Sequence, residues 1–425
     1  MRNHGVSSLD VQSRRLHRYI YRKKNDSIKI MFNKEDKIEQ LLTKGVAEVI
    51  EKKHLEKRLM AGEKLRVKFG VDPTASDLHL GHTVALRKLK QFQDSDHQVI
   101  FLIGDFTAAI GDPSGRSEAR KPLSKEKIKE NMKTYQKQAG KILDMKKLEV
   151  RHNSEWYDKL GAEFIFEITS KFTVARIMER DDFKRRIKED IDISMLEIIY
   201  PLLQGYDSVE LEADVEIGGT DQKFNLLTGR KVQRRYGKLE QDIITVPLLE
   251  GTDGIRKMSK TFSNIIGINE NLNDMFNKIM SIPDSIMMKY FTLLTDVSKE
   301  ELKAIKEKMK LLSLNPRDAK MRLAYEIVKN YHGEKETDKA QENFIKIFQK
   351  KEIPDNISEI KTKKGKELLD IFIENKIISS KSEFRRLMKE GAIDVDGKNI
   401  KNAHYVIEKE VIIKIGKKKF VKIII

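Results

Sequence analysis

The chain has 425 residues, a formal net charge of +17 at pH 7 and no cysteine. Its length permits two or three domains, and the lack of cysteine excludes disulfides, thiolate metal sites and cysteine nucleophiles. No stretch approaches the roughly 20 apolar residues of a membrane helix. We therefore predict no membrane partner and place the protein in the reducing cytoplasm.

The positive charge is concentrated at the two ends of the chain. Residues 1–30 hold eight basic and two acidic residues, and residues 361–425 hold seventeen basic and nine acidic ones. A basic C-terminal part favours a polyanion bound at a defined place, although a lysine-rich solvated surface explains the charge equally well. Residues 1–30 show no apolar periodicity. We predict a disordered basic extension there, with a transit peptide or a misassigned start as alternatives.

From residue 31 to residue 267 the pattern is that of an α/β domain. An amphipathic segment follows Met31, and apolar runs predict buried strands at 65–72, 99–104 and 243–249. Helices are predicted at 79–93, 125–143, 198–206 and 222–235. The alternation of strands and helices predicts a Rossmann-like, doubly wound parallel sheet, in which ligands bind at the carboxyl ends of the strands.

Past residue 267 the strand signals stop. Residues 268–351 are predicted to form an α-helical domain, residues 352–364 a linker, and residues 365–425 a small α+β module. In that module Ser380 and Glu383 form a predicted capping box, and an Asp-Gly pair at 396–397 predicts a hairpin. The helix after Ser380 carries a basic stripe, with its members spaced four apart at Lys381, Arg385 and Lys389.

Two histidines three residues apart stand at the start of a predicted helix. His79 and His82 share one helix face, and a helix N-terminus presents free N–H groups and positive potential to anions. Gly81 between them would let a flat ring lie against the backbone. The pattern indicates donors for phosphate oxygens, with surface histidines or a metal pair as alternatives. No third metal ligand lies nearby in the sequence, and the usual glycine-rich phosphate loops are absent from it.

A lysine-rich pentapeptide, KMSKT at 257–261, follows the last predicted strand and a glycine-containing turn. Two lysines and two hydroxyls on a mobile loop could close over a triphosphate, whereas an isolated motif of this kind is more often a charged surface loop. HLGH at 79–82 after the first strand, together with KMSKT after the last, is a specific combination within one α/β domain.

In order and spacing these two motifs resemble the signatures of class I aminoacyl-tRNA synthetases. Three further stretches resemble the tyrosyl members: VDPT at 71–74, GDPSG at 111–115, and residues 200–222 with LLQGYD and IGGTDQ. Residues 365–425 resemble the S4-type RNA-binding domain of bacterial tyrosyl enzymes. The resemblance covers residues 31–425 and implies activation of L-tyrosine with ATP, followed by transfer to the 3'-terminal adenosine of tRNA(Tyr).

The resemblance implies a role for each residue that matches a family motif. The ATP phosphates and the leaving pyrophosphate would be contacted by Thr74, His79, His82, Arg116, Arg120, Lys257, Lys260 and Thr261. Other parts of ATP would lie against Gly81, Gly218, Gly219, Asp221 and Met258, with the ribose on Asp221. Tyrosine would be surrounded by Lys68, Gly70, Asp112, Tyr200, Gln204, Asp207 and Gln222. RNA would contact Lys381, Arg385, Arg386 and Lys389.

One position departs from the family pattern. Many members have a tyrosine two residues before the position of Gly70, where it touches the substrate hydroxyl, and this chain has Lys68 instead. Asp207 would then accept the phenol hydrogen bond alone, with Lys68 either setting its charge or pointing elsewhere.

The resemblance also implies partners and leaves two rival functions. It implies a homodimer, for which residues 172–183 are the candidate interface, and Mg²⁺ that accompanies ATP without a protein-built metal site. The rivals are a synthetase for tryptophan and an RNA-binding protein on an inactive synthetase scaffold. An aspartate facing the ring tip and the S4-like module argue against the first, and the intact motifs argue against the second.

Overall fold

The computed structural model describes residues 34–74, 76–114, 123–348, 358–375, 377–378, 380–416 and 419–425. The predicted extension at 1–30, Arg116, Arg120 and the first half of the predicted linker lie outside these ranges. The chain divides into two compact units. The first comprises Met1–Asn269 with Ile282–Pro316, and the second comprises Glu270–Ser281 with Arg317–Ile425. The domain boundaries proposed from the sequence stay predictions.

The first unit is built on a six-stranded sheet. Its strands are β1 Glu48–Ile50, β2 Arg66–Val71, β3 Gln98–Ile103, β4 Leu148–His152, β5 Val215–Gly219 and β6 Asp242–Val246. Their order is β1-β6-β5-β2-β3-β4. Only β1 runs antiparallel to its neighbour. The predicted doubly wound parallel sheet is therefore confirmed, and β2, β3 and β6 lie close to their predicted bounds.

Three strands were not anticipated from the sequence, for local reasons. β1 has only three residues, and β4 is a half-buried edge strand in which charged residues alternate with apolar ones. β5 ends in Gly218-Gly219, and because glycine weakens a strand, this pair predicts a turn and not the end of a strand.

Helices cover both faces of this sheet or connect its strands. They are α1 Lys34–Thr43, α2 Lys52–Ala61, α3 Leu80–Asp94, α4 Thr107–Ile110, α5 Lys125–Ala139, α6 Ser154–Tyr157, α7 Ala162–Ser170, α8 Val174–Ile177, α9 Asp181–Lys188, α10 Met195–Glu210 and α11 Lys223–Arg235. The four predicted helices correspond to α3, α5, α10 and α11.

The chain from residue 272 to residue 348 is helical, as predicted. It forms α12 Leu272–Ser281, α13 Asp284–Leu294, α14 Lys299–Lys310, α15 Pro316–His332 and α16 Glu334–Phe348. Helices α13 and α14 belong to the first unit, while α12, α16 and nearly all of α15 belong to the second. Within the second unit α12 packs on α16, and the ring centroids of Phe276 and Phe344 lie 5.5 Å apart.

The last part of the second unit is a small α+β module, as predicted. It contains β7 Ser358–Lys361, β8 Lys366–Glu367, α17 Leu368–Glu374, α18 Lys381–Lys389, β9 Ile393–Val395, β10 Lys398–Asn399, β11 Val406–Ile407, β12 Val411–Ile415 and β13 Lys419–Ile424. Five strands form a sheet in the order β10-β9-β12-β13-β7, and β8 pairs with β11. The Ser380 hydroxyl accepts the Glu383 N–H at 3.2 Å. Strand β7 lies within the segment predicted as a linker.

The path of the chain through the first sheet creates a crevice. From β2 the chain moves outwards to β3 and β4, and it then returns to the other side of β2 as β5 and β6. At this switch point the carboxyl ends of β2 and β5 lie side by side with their connections on opposite faces, which is where such sheets bind ligands.

Helices α10 and α11 bring two predicted motifs together beside this crevice. They approach closely at Gly205, where an added Cβ would lie 2.6 Å from Val232 Cγ2 and 3.0 Å from Gly229 Cα. Tyr200, Gln204 and Asp207 recur at helical spacing, so they share the face of α10 that is turned to the sheet.

Across the described residues, no helix has the length and apolar character needed to cross a lipid bilayer.

Candidate active site

A cavity of about 390 Å³ opens at the switch point between β2 and β5. This volume lies within the range of small-molecule sites. Its lining includes most of the predicted site residues, namely Lys68, Gly70, Thr74, His79, Gly81, His82, Asp112, Tyr200, Gln204, Asp207, Gly219, Asp221, Gln222, Lys257, Met258, Lys260 and Thr261. Gly218 is not part of the lining, and an added Cβ there would lie 3.0 Å from Leu226. Arg116 and Arg120 fall outside the described residues.

The two histidines at the start of α3 present neutral donors to the cavity. His79 caps the helix, since its Nδ1 accepts the Gly81 N–H at 3.2 Å, and His82 Nδ1 accepts the His79 N–H at 3.2 Å. With each Nδ1 acting as an acceptor, the proton resides on Nε2. Burial, together with nearby positive charge that includes Lys260, lowers the pKa of His79 to about 2 and that of His82 to about 4. Both rings are therefore uncharged Nε2–H donors at neutral pH.

Gly81 is required by the His79 cap itself. A Cβ at this position would lie 2.9 Å from His79 Nδ1, so any side chain would displace the ring that begins the helix. The predicted contact of Gly81 with a ligand ring stays a prediction.

The lysines of the KMSKT segment reach carboxylates that line the cavity. Lys257 Nζ lies 2.9 Å from Asp221 Oδ2, and Lys260 Nζ lies 3.8 Å from Asp77 Oδ2. Both acids are partly exposed, so these pairs are screened by solvent. A phosphate group entering the cavity would compete with the two carboxylates for the lysines.

A buried asparagine that the sequence analysis missed fixes the base of this segment. Asn264 Oδ1 accepts the Ser259 N–H at 2.8 Å, and its Nδ2 lies within 3.2 Å of the carbonyls of Arg256 and Lys257 and 3.1 Å from Asp253 Oδ2. The loop backbone is therefore held while the lysine side chains remain partly exposed. No local motif marks Asn264, because its partners are mainly backbone groups.

Polar side chains from four segments meet in the part of the cavity next to the carboxyl end of β2. The Tyr200 hydroxyl donates to Asp72 Oδ2 at 3.0 Å, and Gln222 Nε2 donates to Asp112 Oδ2 at 2.6 Å. Burial and the charge of Asp72 raise the pKa of Tyr200 well above its usual value, so it remains a donor. Asp72 lies in the VDPT motif, yet only the structure gives it this partner.

Asp207 is a buried carboxyl at the far end of the cavity, 3% exposed. Trp156 Nε1 donates to Oδ1 at 3.1 Å, and Asn153 Nδ2 lies 3.4 Å from Oδ2. Burial raises the pKa of Asp207 to about 7, against the opposing effect of the nearby Lys68 charge. Trp156 and Asn153 carry no sequence motif and were missed.

Lys68 points away from Asp207 to a buried glutamate. Its Nζ lies 3.0 Å from Glu216 Oε1 and donates to Ser208 Oγ at 2.8 Å and to the Gln204 carbonyl at 3.1 Å. These three acceptors use all three N–H bonds of the ammonium. Lys68 therefore makes its hydrogen bonds elsewhere, in a pair whose side chains are both almost fully buried, while its charge still lowers the pKa of Asp207.

Comparison with known proteins gives consistent results along the chain. Residues 60–349 match the family model for class I tRNA synthetases (W and Y), and residues 348–423 match the model for the C-terminal domain of SYY-like tyrosine–tRNA ligases. The tyrosine–tRNA ligase of Thermotoga maritima is 50% identical over 386 residues, which cover 90% of this chain and 96% of that protein. The tyrosine–tRNA ligase of Carboxydothermus hydrogenoformans is 49% identical over 400 residues, with 91% and 97% covered.

Solved structures show the same fold at lower sequence identity. A C-terminally truncated mitochondrial tyrosyl-tRNA synthetase of Aspergillus nidulans superposes with a TM-score of 0.63 and 23% identity, over 73% of this chain and 94% of that chain. The tyrosyl-tRNA synthetase from Archaeoglobus fulgidus, solved with L-tyrosine, superposes with a TM-score of 0.59 and 21% identity over 72% and 99%.

Proposed function

Because this chain belongs to the tyrosine–tRNA ligases of class I, we propose that both steps of its reaction take place in the cavity between β2 and β5. The enzyme activates L-tyrosine with ATP and then charges tRNA(Tyr). The observation that carries the placement is the convergence in one cavity of the helix-capping histidines, the KMSKT lysines and the polar face of α10. These groups come from segments far apart in the sequence.

In the first step the tyrosine carboxylate attacks the α-phosphorus of ATP in line. The bond from that phosphorus to the bridging oxygen breaks, and pyrophosphate leaves with its Mg²⁺, which enters as part of the substrate. No side chain forms a covalent bond. The protein contributes alignment and donors placed where negative charge develops. We assign that stabilisation to the Nε2–H groups of His79 and His82, to Lys257 and Lys260, and to the hydroxyls of Thr74 and Thr261.

At the other end of the cavity, the amino acid is held by oxygen atoms. The ammonium group is assigned to Asp112, Gln204, Gln222 and Tyr200. Gln222 donates to Asp112, Tyr200 donates to Asp72, and Gln204 accepts from Asn225, so each of the four is held in place. The phenol is assigned to Asp207, which accepts its hydrogen bond beside Trp156 Nε1. The ribose of ATP is assigned to Asp221, where it would replace Lys257 as the partner of that carboxylate.

In the second step the terminal ribose hydroxyl of the tRNA attacks the tyrosyl carbonyl and AMP leaves. We assign tRNA binding to the helical segment 272–348 and to the C-terminal module. In the module, Lys381, Arg385, Arg386 and Lys389 all lie on α18, while Phe384 of the same helix is buried in the core of the module. Side chains placed this way can contact phosphates without disturbing the core.

ATP–pyrophosphate exchange measured separately with tyrosine and tryptophan tests this assignment. We expect exchange that depends on tyrosine and not on tryptophan. Tryptophan-dependent exchange would favour the first rival function, and tRNA binding without any exchange would favour an inactive scaffold.

Removing the C-terminal module should separate the two steps. Because β7 pairs with β13, the deletion should include β7 and cover residues 358–425. We expect tyrosine-dependent exchange to persist, whereas tRNA charging should fall sharply and lose much of its salt dependence, since phosphate contacts are lost. Exchange that disappeared together with charging would show that the module supports the catalytic unit.

The homodimer is part of the same proposal. Around the candidate interface at 172–183, Val174 is 60% exposed, and flanking apolar side chains are similarly exposed: Phe166 at 73%, Ile187 at 56% and Met195 at 66%. We infer that a second copy of the chain covers them, and a protein that sedimented as a monomer at micromolar concentration would contradict this.

The role in translation and the absence of cysteine support a cytoplasmic location.

A further inference from the structure

A buried arginine behind the cavity takes no direct part in either reaction step. Arg180 lies between α8 and α9, is 3% exposed, and does not line the cavity. Its guanidinium forms a bidentate pair with Asp182, with Nε 2.9 Å from Oδ1 and Nη2 2.8 Å from Oδ2. The rings of Phe183 and Phe224 lie 4.7 Å and 5.1 Å from its Cζ. The guanidinium is therefore fixed both along one edge and by the aromatic rings beside it.

This fixed guanidinium determines the orientation of a buried amide. Its Nη1 donates to Asn225 Oδ1 at 2.8 Å, and Asn225 is fully buried. An asparagine amide can rotate to exchange its oxygen and nitrogen, but only the oxygen can face a cation. With Oδ1 held by Arg180, Nδ2 must point to the opposite side, towards the cavity.

The oriented amide meets the side chains assigned to the substrate ammonium. Asn225 Nδ2 lies 2.9 Å from Gln204 Oε1, 3.1 Å from Ser114 Oγ, 3.2 Å from Gln222 Oε1 and 3.4 Å from Asp112 Oδ1. The nitrogens of both glutamines accordingly point to carboxylates, since Gln204 Nε2 donates to Glu216 at 3.2 Å and Gln222 Nε2 donates to Asp112 at 2.6 Å. A carbonyl oxygen has two lone pairs, so each glutamine oxygen that faces Asn225 can also accept from an ammonium group.

We propose that Arg180 is a positioning residue that, through Asn225, orients the oxygens of Gln204, Gln222 and Asp112 towards the ammonium group of tyrosine. This inference rests on the proposed function, which places the ammonium at these residues. If Asn225 rotated, the glutamine amides would follow and turn N–H groups towards a cation. The loss of binding would then be specific to ligands that carry an ammonium group.

Two tyrosine analogues separate this role from a purely structural one. Tyramine keeps the phenol and the ammonium, whereas 3-(4-hydroxyphenyl)propionate keeps the phenol and the carboxylate. For Arg180→Lys in the full chain, we expect the tyramine dissociation constant to rise about tenfold, the size of one charge-assisted hydrogen bond. The dissociation constant of 3-(4-hydroxyphenyl)propionate should change less than about twofold. The KM for tyrosine should rise with kcat nearly unchanged, because the ammonium is bound equally in the ground and transition states.

The relay through Asn225 has its own test and a matched control. Asn225→Ser should cause the same ammonium-specific loss, and the double variant should bind tyramine no more weakly than Asn225→Ser alone. Additive losses would overturn the relay, and Asn225→Ser keeps the proposal testable if Arg180→Lys does not fold. Arg234→Lys lies on the same helix as Asn225 with its side chain 65% exposed and should change neither constant.

A variant of a residue assigned to direct contact distinguishes failure of this inference from failure of the proposed function. Gln222→Leu should weaken tyramine binding selectively if the ammonium lies where the proposed function places it. If it does so while Arg180→Lys weakens both analogues equally, or neither, the role of Arg180 is overturned and the pocket stands. If Gln222→Leu affects both analogues equally, the placement of the ammonium is overturned together with the role of Arg180.

Discussion

Replacing Asp207 with alanine should lower the activation of tyrosine by several powers of ten and leave that of phenylalanine nearly unchanged. The two substrates differ by one hydroxyl, and a site built to bond that hydroxyl rejects the analogue that lacks it, because the polar group of the site is left unpaired. Tyrosyl-tRNA synthetases are themselves the established example of this effect, and the discrimination of about 10⁵ is the value known for that example.

The surroundings of Asp207 explain why so much depends on one carboxyl. Lys68 stands where many family members have a second group for the phenol, but its ammonium is occupied by Glu216, Ser208 and the Gln204 carbonyl. Trp156 and Asn153 hold the Asp207 carboxyl in place from behind. We therefore expect Lys68→Ala to reduce stability more than discrimination, since it leaves Glu216 buried without its cationic partner.

Kinetics of adenylate formation with both amino acids decide this prediction. Glu210→Ala is the matched control, because it removes an exposed carboxylate from the same helix outside the cavity. An Asp207 variant that kept the full preference for tyrosine would require another group to recognise the phenol.

The pH dependence of the parent enzyme gives a second test. With the pKa of Asp207 near 7, its ionised carboxylate is protonated as the pH falls from about 8 to about 6. The preference for tyrosine should decline over that interval.

Lys257→Ala and Lys260→Ala should each slow adenylate formation by about 10²–10³ while leaving the dissociation constant of tyrosine nearly unchanged. The magnitude follows the loss of one donor to a developing oxyanion. Each lysine is expected to strengthen its contact as charge moves onto pyrophosphate, and interactions made only in the transition state affect the rate constant and not ground-state binding.

The contacts around Lys257 determine which control variants these experiments need. In Lys257→Ala, Asp221 keeps its charge without its partner at 2.9 Å, which would also repel the phosphates of ATP. Comparing Lys257→Ala/Asp221→Asn with Asp221→Asn alone removes that repulsion and the ribose contact from both sides, so the remaining difference in rate belongs to the lysine. Arg256→Ala changes a neighbouring cation that is 55% exposed and pairs with Asp253, and it should have little effect. Single-turnover rates together with equilibrium binding of tyrosine make the comparison, and equal losses in both would contradict the assignment.

The sequence was informative where function depends on short contiguous motifs. HLGH, KMSKT, LLQGYD and IGGTDQ each place several side chains on one turn or one helix face, so their convergence followed once the sheet topology was predicted. Asn153, Trp156 and Asn264 could not be identified this way, because each acts through a partner that is distant in sequence or belongs to the backbone. Their contacts depend on how β4, α6 and the loop after β6 pack.

The Lys68–Glu216 pair was not predicted from the sequence, because the strand that carries Glu216 was not recognised there. Both residues interrupt otherwise apolar runs, in RVKFGV and in VEIGG, and they are direct neighbours in the register of β2 and β5. A lone charge inside a buried parallel strand needs an opposite charge nearby. The structure supplies that opposite charge by placing Lys68 and Glu216 side by side on adjacent strands.

The same pair limits how relatives can diverge at this site. Changing Lys68 alone to the tyrosine found in many family members would leave the buried Glu216 unpaired, at a cost of about 3–5 kcal/mol. That is a large share of the roughly 5–15 kcal/mol that holds a typical domain folded. A lineage can therefore pass between the two forms of the phenol pocket only by changing both positions together, because changing position 216 first would leave Lys68 buried without its partner. An alignment of relatives should show the two positions covarying, with lysine at 68 accompanied by an acid at 216.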